Sequence, residues 1–168
     1  MKILISRFNS IKTLLEENPN MEFVSMDRNP PEWWKGRTIS KLVPSKRIID
    51  MIDEIKTRIS YQAFDENPEV YGTVMDAYHK DVLSKTTPEK VVSGLKRMFP
   101  GTDEFCVLSV EPTHRRSPKT MFKEWFNSSG YSKKTGITVE EHGMGIKKYP
   151  SRRKYVRLET ATRTDKHS

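Results

Sequence analysis

Glu111, His114, Arg115 and Arg116 fall within six consecutive residues. Histidine titrates near neutral pH, so His114 could pass a proton as a general acid or base. Arg115 and Arg116 carry planar guanidinium forks suited to phosphate or carboxylate. Glu111 is either a salt-bridge partner of these arginines or a catalytic carboxylate. The ion pair is favoured, because adjacent arginines oppose the raised pKa that proton transfer needs. Arg7 and Asp27 follow two other apolar runs and are expected at the same place in the fold. Trp33, Trp34 and Lys35 form an aromatic-basic cluster. An exposed ring can stack on a nucleobase at about 1–3 kcal/mol; one tryptophan is expected beneath its loop and the other free to do this.

The elements that must position these groups follow from periodicity. Lys2 to Phe8, Glu22 to Met26 and Phe105 to Val110 read as strands one to three, and the last has the short apolar run of a strand covered on both faces. Ser117-Pro118 reads as a helix N-cap and first position, with Met121, Phe122, Trp125 and Phe126 turned inward. Ligands of open α/β sheets bind beyond the carboxyl ends of the strands, and a helix N-terminus there favours anions. Arg7, Asp27, Glu111 and His114 should therefore converge at one sheet edge.

Ser10 to Glu17 reads as a short helix. Lys46 to Ile59, Asn67 to Leu83 and the run after Thr87-Pro88 read as three more, with Ile48, Ile52, Val74, Tyr78, Val92 and Leu95 at core spacing. Ser128-Ser129-Gly130 reads as a helix stop, Lys133 to Gly136 as a turn, and Ile137 to Glu140 as a last strand. The order predicts a three-layer α/β fold with a small, mostly parallel sheet. The helix-rich middle between strands two and three, about 60 residues, exceeds an ordinary crossover and should form a lid or flank.

At 168 residues the chain is long enough for a real core, and residues 1–142 are read as one α/β domain. No apolar run reaches the length of a membrane span. The single cysteine, Cys106, rules out an internal disulfide framework. Within a core strand it indicates a structural thiol in a reducing, cytoplasmic compartment. Four scattered histidines and one cysteine show no metal-ligand spacing, and no cofactor is implied.

The net charge of +8 is uneven, because residues 143–168 alone carry +6. This C-terminal tail, with Lys147, Lys148, Arg152, Arg153, Lys154 and Arg157, suggests a polyanion partner, most simply nucleic acid.

Pro31-Glu32-Trp33-Trp34-Lys35-Gly36, then Leu42-Val43-Pro44-Ser45, then a tyrosine-bearing helix ending Asp81-Val82-Leu83 form a familiar order of motifs. With the strand Val107-Leu108-Ser109-Val110-Glu111, the triplet Thr113-His114-Arg115, Trp125 and the closing Val139-Glu140-Glu141-His142, the chain resembles one branch of the family catalogued as domain of unknown function 488. The resemblance covers about residues 2–142. It implies an α/β fold and a His-Arg pocket in systems acting on nucleic acid or nucleotides. Both cysteines of the family pattern are replaced, by Ser109 and Thr113, so a thiol nucleophile would be lost.

The leading expectation is an enzyme acting on nucleic acid or a nucleotide, by base modification or by transfer or hydrolysis. Its pocket would hold Glu111, His114, Asp27, Arg115, Arg116 and Arg7, with Trp33, Trp34 and Lys35 against the base. One rival is a non-catalytic nucleic-acid-binding protein. Another is a small module that binds and inhibits a nucleic-acid-acting protein, which would show an exposed apolar patch away from the tail.

Overall fold

A computed structural model describes residues 1–112 and 115–143. His114 and the basic tail residues Lys147, Lys148, Arg152, Arg153, Lys154 and Arg157 lie outside the described residues. Five strands, β1 (Lys2–Arg7), β2 (Glu22–Ser25), β3 (Arg37–Thr38), β4 (Glu104–Ser109) and β5 (Val139–Glu141), form one parallel sheet in the order β3-β2-β4-β1-β5. β4 thus lies between β1 and β2, and all three carboxyl ends share one edge. Among the described residues seven α-helices accompany them: α1 (Ile11–Glu17), α2 (Lys46–Arg58), α3 (Tyr61–Glu66), α4 (Pro68–Asp81), α5 (Pro88–Met98), α6 (Pro118–Asn127) and α7 (Gly130–Thr135).

Successive buried residues along β1 and β4 show that both sheet faces are covered, as parallel sheets require. Ile3, Ile5, Val24, Phe105, Val107 and Val139 face the larger helical layer. There α6 lies on β1 and β4, α4 packs on α6, and α2 packs on α4. Leu4, Cys106 and Leu108 face the other way, toward Phe8, Leu14 and Met21, with Ile11, Phe23 and Trp34 at their margin. The fold is therefore three-layer α/β. The long insertion is a flank that fills one face of the sheet.

Local signals set most helix starts. Ser45 Oγ accepts from Ile48 N, Asn67 Oδ1 from Glu69 N and Val70 N, and Thr87 Oγ1 from Lys90 N. Each such cap stabilises its helix by about 1 kcal/mol. Proline opens α4, α5 and α6, where its missing N–H costs nothing.

Three elements differ from expectation. β3 emerges from what reads as loop, held by Ile39 N donating to Ser25 O at 2.8 Å. The six-residue α3 is too short to show a period, although Ser60 caps it by accepting from Ala63 N. α6 does end before Ser128, but Gly130 then opens α7 where a turn is expected, and Gly136, at φ 75°, supplies its left-handed C-cap.

Candidate active site

The strand order creates a switch point. The chain leaves β1 toward β2 through α1, on the Leu4 face, and leaves β4 toward β5 through α6, on the Ile3 face. β1 and β4 are neighbours, with Arg7 opposite Ser109. Their following segments therefore diverge to opposite faces, the position at which such sheets bind ligands.

Asp27, just past β2, reaches into this edge. Its Oδ2 accepts from Val110 N at 2.7 Å, and its carboxylate also accepts the Ser109 hydroxyl. Ser109 Oγ in turn accepts from Glu111 N at 3.3 Å. Burial pushes the Asp27 pKa up from its ordinary value. These hydrogen bonds and the Lys119 charge oppose the rise without cancelling it, and the Glu111 charge adds to it.

The dominant cation of the edge is Lys119, in the first turn of α6 and fully buried. Its Nζ donates to the Glu111 carbonyl at 2.8 Å. Burial lowers its pKa to about 8, against the opposing pull of Glu141, Glu111 and Asp27. Glu141, at the end of β5, is itself raised by burial, and its Oε2 is buried without a hydrogen-bond partner among the described residues. Asp27 and Lys119 are thus an acid and a base whose environments move both toward neutrality, the pattern that proton-transfer sites use.

The expected partner of Glu111 is corrected. Its carboxylate meets Lys56 Nζ at 3.4 Å, and both are largely shielded. Arg115 instead pairs with the buried Asp65 at 3.2 Å and lies over the Tyr61 ring. Asp65 also accepts from Arg116 N at 3.0 Å. The Arg116 guanidinium is turned inward over Tyr71, and the residue is only 5% exposed. Packing against the α3–α4 aromatics directs both arginines into the helical layer, away from an open phosphate site.

Arg7 is half-buried at the end of β1, and its side chain forms no ion pair among the described residues. Phe8, next in the chain, makes edge contacts with Trp33 and Trp34, at centroid distances of 5.9 and 5.4 Å. Trp34 is packed against the smaller core cluster, whereas Trp33 is 59% exposed. Lys35 is exposed beside them. The edge therefore brings together Arg7, Asp27 and Glu111, with the tryptophan loop beside it through Phe8.

Lys119, Lys56, Asp65 and Glu141 are not apparent as site residues from sequence. One signal for Lys119 does exist. A lysine in the first turn opposes the helix dipole, so its burial there requires carboxylates nearby. Among the described residues no cluster of three or more His, Cys, Asp or Glu could hold a metal ion, and no helix is long and apolar enough to cross a membrane.

Compared with protein-family models, curated proteins and solved structures, the chain has no match.

Proposed function

We propose that the protein is an enzyme acting on a nucleotide or nucleic acid, and that the carboxyl edge of its sheet is the proton-transfer centre. The observation that carries this reading is the Asp27–Lys119 juxtaposition at the switch point, with the two pKa values moved toward each other. Asp27 exchanges the proton, and Lys119 holds charge beneath the loop after β4. Arg7 offers a half-buried cation to a phosphate. Trp33 presents a ring at the rim for a base. His114, two residues beyond Pro112, is a second proton carrier in the same loop. The motif resemblance to the domain of unknown function 488 family points to the same substrate class.

A panel of nucleotides and short oligonucleotides, followed for base modification and for transfer or hydrolysis, tests this reading. Asp27→Asn and His114→Ala should each lower turnover at least about a hundredfold, the range of a general acid or base, while the fold stays intact. Turnover unaffected by both substitutions overturns the assignment.

A non-catalytic strand-binding protein is the second reading. It is favoured by two cation-lined clefts away from this edge, at the β3 margin of the sheet.

A further inference from the structure

Two adjoining clefts lie along the β3 margin. The first, about 250 Å3, is lined by Arg37, Lys41 and Arg97 around Ile39, Gly94 and Met98. The second, about 170 Å3, shares Ser40 and Lys41 with the first and continues past Lys85, Asp81 and Thr86. We propose that they form one groove that holds the phosphodiester backbone of a nucleic-acid strand. The ligand class rests on the nucleic-acid reading of the protein, whereas the groove shares no lining residue with the proposed proton-transfer centre.

The cations of the groove outnumber its carboxylates, and only Lys85 lies close enough to Asp81 to help hold that carboxyl below its ordinary pKa. Arg37, Lys41, Lys85 and Arg97 form no ion pair among the described residues. The one carboxylate lining the groove, Asp81, is already engaged. It receives two hydrogen bonds from Arg47, at 2.8 and 3.0 Å, and one from Ser45 Oγ at 2.8 Å. Arg37 is held in place without being neutralised: Nη1 donates to the Met98 carbonyl at 3.1 Å, and the guanidinium lies over Phe99. Cations fixed in advance of binding lose little freedom when a phosphate arrives.

One further observation points into the groove. Gly94 sits within α5, where glycine weakens a helix. A Cβ there would meet nothing within 4 Å, so packing does not require glycine. The small residue keeps the first cleft open. Two clefts joined at Lys41 suit an extended chain better than one compact anion.

The test is binding of labelled single-stranded DNA and RNA oligonucleotides to the full chain across a salt series. The triple variant Lys41→Glu, Lys85→Glu, Arg97→Glu should weaken binding at least about tenfold. It should also flatten the log–log salt slope by about 2, at roughly 0.7 for each single-strand phosphate that is no longer neutralised. Lys12→Glu, Lys133→Glu, Lys134→Glu is the charge-matched control and should change affinity less than about threefold, as expected of charges remote from the strand. Gly94→Met should weaken binding at least about threefold with an unchanged or raised melting temperature, because methionine is the better helix former. Groove and control triples that behave alike, or Gly94→Met binding as wild type does, overturn the groove and leave the carboxyl-edge reading standing. A wild-type chain that binds neither strand overturns the ligand class of the groove, while the nucleotide panel decides the carboxyl-edge reading separately.

Discussion

The Lys119 ammonium donates to the backbone carbonyl of Glu111 at 2.8 Å, tying the first turn of α6 to the loop that follows β4. That bond anchors the loop from beneath. It also places a buried cation among Asp27, Glu111 and Glu141, so the charge state of the edge is a collective property of these groups.

The pH dependence of stability should report this cation. The Lys119 pKa falls from 10.5 to about 8 on folding, so between these values the unfolded chain binds more protons than the folded one. Stability contributed by this group therefore rises with pH over that window. The wild-type advantage over Lys119→Met should grow between pH 8 and pH 10.5, by up to about 3 kcal/mol. Urea denaturation of both proteins at several pH values measures it, and a constant difference argues against the burial.

At pH 7 the same Lys119→Met substitution should leave Asp27, Glu111 and Glu141 without the cation that faces them. It should cost less under acidic conditions. Asp27 and Glu141 already have raised pKa values, and removing the cation raises them further. Their protonated forms then tolerate burial, so the variant loses stability as pH rises through the carboxylate range. Equal destabilisation at pH 5 and pH 7 would contradict this account.

Arg115→Ala should lower the melting temperature because it removes a cation from the buried Asp65. The expected cost is about 3 kcal/mol, and Arg115→Lys should recover part of it. Lys56→Met, not Arg115→Ala, is the change that exposes Glu111 to loss of its partner. His114→Ala should leave stability near wild type. Melting curves of the four variants distinguish these pairings.

The tryptophan loop separates packing from binding. A Cβ on Gly36 would lie 2.2 Å from the Trp34 ring, so Gly36→Ala must displace that ring from Phe8. A loss of about 1–3 kcal/mol and a shift in tryptophan fluorescence should follow. Trp33→Ala should leave stability within about 0.5 kcal/mol of wild type. It should weaken nucleotide binding by about 1–3 kcal/mol if the ring stacks on a base. Calorimetric titration with nucleotides reads the second effect.

Cys106 should resist thiol reagents in the native state. It is fully buried in β4, and burial pushes its thiol up to about 12. Labelling should proceed no faster than the chain opens. Fast, stoichiometric labelling without unfolding would show that the strand is open.

Much of the architecture is written locally. The apolar runs of β1 and β4, the caps at Ser45, Asn67 and Thr87, and the prolines opening α4, α5 and α6 each act within a few residues, so periodicity and turn chemistry suffice to find them. From their order follow the three layers and the shared carboxyl edge of Arg7, Asp27 and Glu111. That one tryptophan of the loop packs and the other is exposed follows from the same loop reading, whereas the fold alone decides that Trp34 is the packed one and Trp33 the exposed one. Tertiary structure alone decides how charges pair. Glu111 meets Lys56 across 55 residues, and Arg115 meets Asp65 across 50, because α2 and α3 pack beside the end of β4. Nearness in sequence carries no information about such contacts. β3 and α3 are similarly hidden: each is too short to have a period and exists because a neighbour holds it. Lys119 is the sharpest case. Its residue type argues for solvent, and only the sheet edge beneath it, with three carboxylates around one amine, makes its burial and its shifted proton affinity possible.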